Sequence, residues 1–156
     1  MNPLWRVVRA EFAGDPLSTM GAYLFPGRWH SAGQHVLYAA STESLARNER
    51  LVHLAGEHDI DFVLLELALP EGAKVDAYED LPIQAPTWRA IESTQARGVG
   101  DWWIEHSTAL GLSVPSMLSA TERNVILARR SPLFAQVRVA SATPFRYDQR
   151  FYPSKE

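Results

Sequence analysis

The sequence predicts a mixed α/β (α+β) fold, a central sheet with flanking helices, on three observations. Residues 36–40 (Val-Leu-Tyr-Ala-Ala) form a short apolar run of buried-strand type. Ser41, Thr42 and Glu43 then supply an N-terminal cap and an acidic first turn for a helix over residues 44–56. Residues 62–69 are apolar and β-rich, closed by the turn Pro70-Glu71-Gly72. A strand, a helix and a strand in succession favour a sheet covered by helices.

The remaining elements follow from the same signals. Residues 4–8 read as an opening strand, and residues 14–33, with Pro16, Gly21, Pro26 and Gly27, as loop. Residues 82–100 are loop-rich with a weak helical piece over 87–92. Residues 101–110 read as a helix carrying Trp102 and Trp103 and stopping at Gly111. A short strand over 112–115 runs into Ser116, residues 122–127 are ambiguous, residues 137–140 read as a late strand, and the polar-aromatic tail 145–153 is expected on the surface. With 156 residues, no internal repeat and no linker-like tract, one domain spanning 1–156 is the simplest organisation.

Composition removes whole classes of function. The absence of cysteine excludes disulfide scaffolds, thiolate nucleophiles and zinc–thiolate sites. A formal charge of −3 gives a polyanion such as DNA or RNA no electrostatic reason to bind. No apolar run approaches the ~18 residues of a membrane span, and the start lacks a leader pattern, so a cytoplasmic location is expected. The five histidines offer no HExxH and no i,i+4 pair on a helix, so no metal site is expected. GxSxG, GxGxxG and GxxxxGK[ST] are also missing.

Glu49 breaks its local pattern. It follows Leu45 by four residues and precedes Val52 by three, which sets a carboxylate beside two side chains read as core-facing. A buried carboxylate needs a cation or several donors; Arg47, Arg50 or Arg28 would supply an ordinary ion pair. Arg28 lies in Gly27-Arg28-Trp29-His30-Ser31-Ala32-Gly33, where glycines let backbone approach a ligand and a guanidinium suits phosphate or carboxylate; a surface arginine beside a structural Trp29 is the plainer alternative. Tyr38 and Ser116 alone read equally well as a core tyrosine and a turn serine.

Together these residues form a pattern. Trp5-Arg6-Val7, Gly27-Arg28-Trp29 with Gly33, the run 36–40, Glu43-Ser44-Leu45-Ala46 leading to Glu49 and Val52-His53, and Val114-Pro115-Ser116 resemble the layout of the RES domain family over nearly the whole chain. Arg47 and Asn48 depart from it, standing where small or apolar residues are the pattern. The resemblance implies a fold similar to ADP-ribosyltransferases and a toxin of a bacterial type II toxin–antitoxin pair that degrades NAD at the nicotinamide–ribose bond, with water or phosphate as acceptor. It implies Arg28, Tyr38, Glu49 and Ser116 as catalytic residues, and Arg6, Arg28, Tyr38, Ser116, Trp29 and Asn124 as substrate-binding ones. NAD is then the substrate and no cofactor is expected. The implied partner is an Xre-type antitoxin that blocks the active site, with a toxin homodimer inside that complex also compatible. A protein ADP-ribosyltransferase using the same pocket, or a non-catalytic nucleotide- or partner-binding domain, are the alternatives.

Overall fold

The computed structural model describes residues 2–54, 56–57 and 59–152. Seven strands, β1 (Leu4–Arg9), β2 (Val36–Ala40), β3 (Phe62–Ala68), β4 (Val75–Ala77), β5 (Gly111–Pro115), β6 (Arg123–Ala128) and β7 (Arg138–Phe145), form one sheet in the order β4-β5-β6-β2-β1-β3-β7. All neighbours are antiparallel except β4 and β5. The sheet is nearly two sheets. β2 pairs with β6 along its whole length and β1 with β3 along its whole length, yet β1 and β2 meet at a single pair, Trp5↔Ala40. Where they part, backbone groups that a ladder would consume become available to side chains.

Alternation along β2 shows how the strands serve two packed faces. Leu37 and Ala39 join a cluster with Leu4, Val8, Val63, Leu65 and Leu127, whereas Val36 points with Tyr38 to the opposite cluster under a helix. That helix is α3 (Thr94–His106), whose Ala96, Val99 and Trp103 pack on Trp29, Leu112 and Ile126. A third cluster joins α2 (Glu43–Leu51) through Leu45 and Ala46 to Val7, Phe62 and Leu64. Thr42 caps α2 as its position suggests, accepting from the Leu45 amide at 3.1 Å.

Several elements differ from the sequence expectation. A five-residue helix, α1 (Met20–Leu24), interrupts the segment read as loop. α2 ends at Leu51 rather than at residue 56, because Val52, His53 and Leu54 leave in tight turns. Residues 87–92 hold turns and no helix. α3 starts at Thr94, seven residues before the expected start, because the Ser93 hydroxyl accepts from the Ala96 amide and Gly98 and Gly100 are tolerated inside the helix. It also stops at His106, since the Leu110 amide is taken by Lys74 across the sheet. β4 went unrecognised, the ambiguous 122–127 segment is strand β6, and the late strand extends to Phe145. The tail is not all surface: Tyr147 is 6% exposed, packs edge-on against Phe62 and donates its hydroxyl to the Arg47 carbonyl. Pro153, the end of that expectation, lies outside the described residues.

Candidate active site

A cavity of about 180 Å3 opens where β1 and β2 diverge under α2. It is smaller than the ~300–1,000 Å3 of sites that enclose a drug-sized ligand, so it suits one end of a larger molecule. β1 supplies Trp5, Arg6 and Val7; β2 supplies Tyr38, Ala39 and Ala40; β6 supplies Asn124. α2 and the turn after it supply Ala46, Glu49, Arg50 and His53, the i, i+3, i+4, i+7 face of a helix.

Glu49 is the only carboxylate among the described lining residues. Its Oε1 accepts from Ser116 Oγ at 2.8 Å and from Asn124 Nδ2 at 2.7 Å, and its Oε2 has no hydrogen bond among the described residues. One carboxylate oxygen is therefore held by two donors, one just after β5 and one on β6, and the other is left for whatever enters. No ion pair to Glu49 exists among the described residues. Arg47, which might have provided one, pairs with Glu43 at 3.5 Å and stacks over Phe145. Val52, read as core-facing, is 58% exposed. Glu49 belongs to the neighbouring face with Ala46 and His53.

Ser116 is buried at 4% exposure, and its hydroxyl both donates to Glu49 and accepts from the Leu118 amide. Arg6 reaches across the gap between the strands and donates Nη1 to the Tyr38 carbonyl at 2.8 Å. That carbonyl lies just past the last β1–β2 pair, so the side chain takes the place of a missing ladder bond. Burial, with the charge of Arg50 beside it, lowers the Arg6 pKa to about 10, still a cation at neutral pH.

The Tyr38 hydroxyl is turned away from Glu49 and is fully engaged. It receives the Trp29 amide at 3.1 Å and lies 2.8 Å from His30 Nδ1. His30 Nε2 faces the Ala22 and Phe25 carbonyls, so that nitrogen carries the proton, and Tyr38 then donates to Nδ1. Burial raises the Tyr38 pKa, which keeps the phenol neutral. Gly27 is required beside this network: a Cβ there would stand 2.8 Å from both the His30 ring and the Tyr38 hydroxyl.

Arg28 and Trp29 do not line the cavity. Arg28 donates Nη1 to the Trp88 and Ala90 carbonyls at 2.5 and 2.6 Å, although its charge is felt at the Tyr38 hydroxyl. Trp29 is 2% exposed and packs on Tyr78 and Trp88. The structure thus brings Glu49, Ser116 and Asn124 into contact, places Arg6 and Tyr38 on the same cavity, and sets Arg28 and Trp29 in the loop behind Tyr38. Arg50 lines the cavity and was not singled out from the sequence as a site residue; its place on the 46/49/50/53 face was the available signal.

A model of the RES domain matches residues 3–148. The chain is 33% identical over 156 residues to a protein named Toxin Res from Photorhabdus laumondii, covering 98% of this chain and 99% of that one. It is 28% identical to a Prs ADP-ribosylating toxin of a Sphingobium species, covering 94% of each. Among solved structures, the M. tuberculosis MbcT–MbcA toxin–antitoxin complex contains a chain that matches with a TM-score of 0.67 at 18% identity, over 93% of this chain and 84% of that one. The mixed α/β fold predicted from the sequence is thus shared with that chain. The chain belongs to the RES domain family. A second relative, 32% identical over 152 residues, is also named Toxin Res, from Yersinia enterocolitica, and covers 94% of this chain and 97% of that one.

Proposed function

We propose that this RES-domain protein cleaves the bond between nicotinamide and ribose in NAD, with water or inorganic phosphate as acceptor, and acts in the cytoplasm as the toxin of a toxin–antitoxin pair. The observation that carries the reading is the single carboxylate among the described residues of the cavity, Glu49, with one oxygen anchored and one open, on the same cavity as the cation Arg6. Ordinary glycosidases use two carboxyl groups, one of them to protonate the leaving oxygen. The nicotinamide nitrogen already carries positive charge and leaves neutral, so no acid is needed. What remains is an anion beside the ribose carbon, where cationic character develops, and a cation for the phosphates.

In this reading Glu49 Oε2 faces the developing oxocarbenium ion, and Ser116 and Asn124 hold its other oxygen. Arg6 binds phosphate, and Tyr38, kept neutral, forms part of the wall. NAD is substrate and no cofactor is called for. Arg28 acts from the loop behind Tyr38, or on a phosphate directly. In either case Arg28→Lys, which keeps the charge but loses the planar fork, is expected to weaken NAD binding measured by calorimetry. Unaltered affinity in the folded variant removes Arg28 from the reading.

Other observations bear on partners and location. The residues flanking the site expose apolar side chains, Val52 at 58%, Met117 at 43% and Leu118 at 40%, which suits a protein segment laid over the cavity. The partner in this reading is an antitoxin of Xre type; the neighbour solved in a toxin–antitoxin complex supports an antitoxin as such. No helix among the described residues is long and apolar enough to cross a membrane.

Nicotinamide release from NAD by the purified chain, with and without phosphate, is the test. Release that needs phosphate and yields a phosphorylated ADP-ribose makes the enzyme a phosphorylase; release without it makes a glycohydrolase. Mass added to a co-incubated protein would instead favour protein ADP-ribosylation, the activity in the name of the Sphingobium relative. A folded chain that releases no nicotinamide, and whose expression alone leaves growth unaffected, overturns the enzymatic reading in favour of a binding domain.

A further inference from the structure

Arg6 and Arg50 are cations without an ion pair among the described residues. Both line the cavity, from β1 and from α2, and the Nε of each is buried with no hydrogen-bond partner. Neither makes an ion pair among the described residues. By contrast Arg9, Arg47, Arg123 and Arg146 each pair with a carboxylate. Glu57, whose charge reaches Arg50, is itself held by Arg9 at 2.5 Å. Glu49 shares the cavity, but its anchored oxygen is spent on Ser116 and Asn124.

The two charges also oppose each other. Burial, then the charge of Arg50, lowers the Arg6 pKa, and burial, then Arg9, lowers that of Arg50. A cavity lined by two half-buried like charges and one carboxylate keeps a net positive charge, which favours entry of a further anion. Arg6 uses only Nη1 within the protein, on the Tyr38 carbonyl, and so keeps Nη2 for an oxyanion. Arg50, whose guanidinium lies 5.7 Å from the centre of the Phe62 ring, makes no side-chain hydrogen bond among the described residues, so its terminal nitrogens are uncommitted.

We propose that Arg6 and Arg50 together form a two-guanidinium seat for one phosphate group, with Arg50 as a ligand-binding residue in its own right. The inference rests on the NAD reading only for the source of that phosphate, which is either the pyrophosphate of the dinucleotide or an inorganic phosphate acceptor. The seat itself follows from the cavity.

Melting and calorimetry on the full chain test it, using wild type, Arg50→Gln and Arg50→Lys with inorganic phosphate, with ADP-ribose and with chloride at matched ionic strength. A ligand that fills the seat is expected to raise the Tm where chloride does not. Its affinity is expected to fall at least about tenfold in Arg50→Gln and by less in Arg50→Lys, which keeps the charge without the fork. A loss confined to inorganic phosphate assigns the seat to the acceptor, and a loss for ADP-ribose assigns it to the pyrophosphate. The seat is overturned if Arg50→Gln, folded as well as wild type, binds both ligands within about twofold of wild type, or if wild type binds neither. Should Arg50→Gln fail to fold, Arg50→Lys carries the same comparison.

Nicotinamide release is read separately. A wild type that binds phosphate through Arg50 but cleaves no NAD ends the NAD reading and leaves the seat standing. Cleavage at the wild-type rate and KM in Arg50→Gln ends the seat and leaves the NAD reading standing.

Discussion

Glu49→Gln is expected to lower nicotinamide release by at least about 10²–10³-fold, the scale of removing one preorganised electrostatic group from an active site, while NAD affinity changes far less. Its stability should hold. Had Glu49 been half of a buried ion pair, the substitution would strand an arginine and cost about 3–5 kcal/mol. Instead the two groups that touch it are neutral donors, Ser116 Oγ and Asn124 Nδ2, both on the same oxygen. A glutamine carbonyl accepts from both, losing only the extra strength of a charged acceptor, on the order of 1 kcal/mol per bond. Removing a desolvated charge offsets part of that, so the Tm should stay within about 4 °C of wild type. Melting, NAD affinity and nicotinamide release on one preparation check all three. A variant that melts like wild type and still cleaves NAD at the wild-type rate ends the role of Glu49 in the reaction.

The sequence made Glu49 conspicuous for a reason that proved half right. Spacing from Leu45 and Val52 marked a carboxylate on an inward face, but Val52 is exposed and the face that counts runs through Ala46, Glu49, Arg50 and His53. A rotation of one position along the helix separates the two readings, because 45/49/52 and 46/49/50/53 both satisfy helical spacing. That is why Arg50 was read only as an ion-pair partner for Glu49: on the first face it is a solvated arginine, on the second it lines the cavity. The contact of Glu49 with Ser116 and Asn124 was beyond reach of spacing, since it spans 67 and 75 residues and depends on β5 and β6 ending beside α2. Arg28 illustrates the opposite limit. A guanidinium in a glycine loop reads as a phosphate ligand, but carbonyls are equally good acceptors, and those of Trp88 and Ala90 come from a segment with no periodicity to place it.

Strands were more legible than helix ends. Residues 36–40 and the run from 62 were correct because these strands are apolar on both faces, so they stand out as apolar runs, broken in β3 only by Glu66. β4 has only three residues, all half-buried and one of them Asp76, and so resembles loop. Asp76 is nonetheless structural: its Oδ2 accepts from Trp103 Nε1 at 2.9 Å and Ser107 Oγ at 2.5 Å, tying the sheet edge to α3. The split between β1 and β2, which makes the cavity, has no local signature. Both strands are ordinary runs, and the single Trp5↔Ala40 pair follows from each having a fuller partner on its other side.

The misread start of α3 leads to the second large effect, because the glycines taken as breakers behave differently. Gly98 and Gly100 both sit in the helix interior, where exchanging glycine for alanine gains about 0.5–1 kcal/mol from backbone entropy. At Gly98 a Cβ would meet nothing within 4 Å, so Gly98→Ala is expected to hold or raise the Tm by a few degrees, roughly 2–4 °C per kcal/mol. At Gly100 a Cβ would lie 1.5 Å from the Trp29 carbonyl oxygen and 2.6 Å from its carbon. The obstacle is backbone, so no rotamer change relieves it. Helix and loop must separate, disturbing the seating of Trp29 among Tyr78 and Trp88. Overpacking of this kind costs about 1–3 kcal/mol even where only side chains yield, so Gly100→Ala should lose at least the upper part of that range. The damage extends to the site, because the Trp29 amide holds the Tyr38 hydroxyl and the Tyr38 carbonyl holds Arg6. Calorimetric melting of the two alanine variants side by side should therefore give shifts of opposite sign, or none against a large fall, from the same substitution two residues apart. A Gly100→Ala protein as stable as Gly98→Ala would mean that α3 does not rest on the Trp29 backbone and that the loop behind Tyr38 is seated by something else.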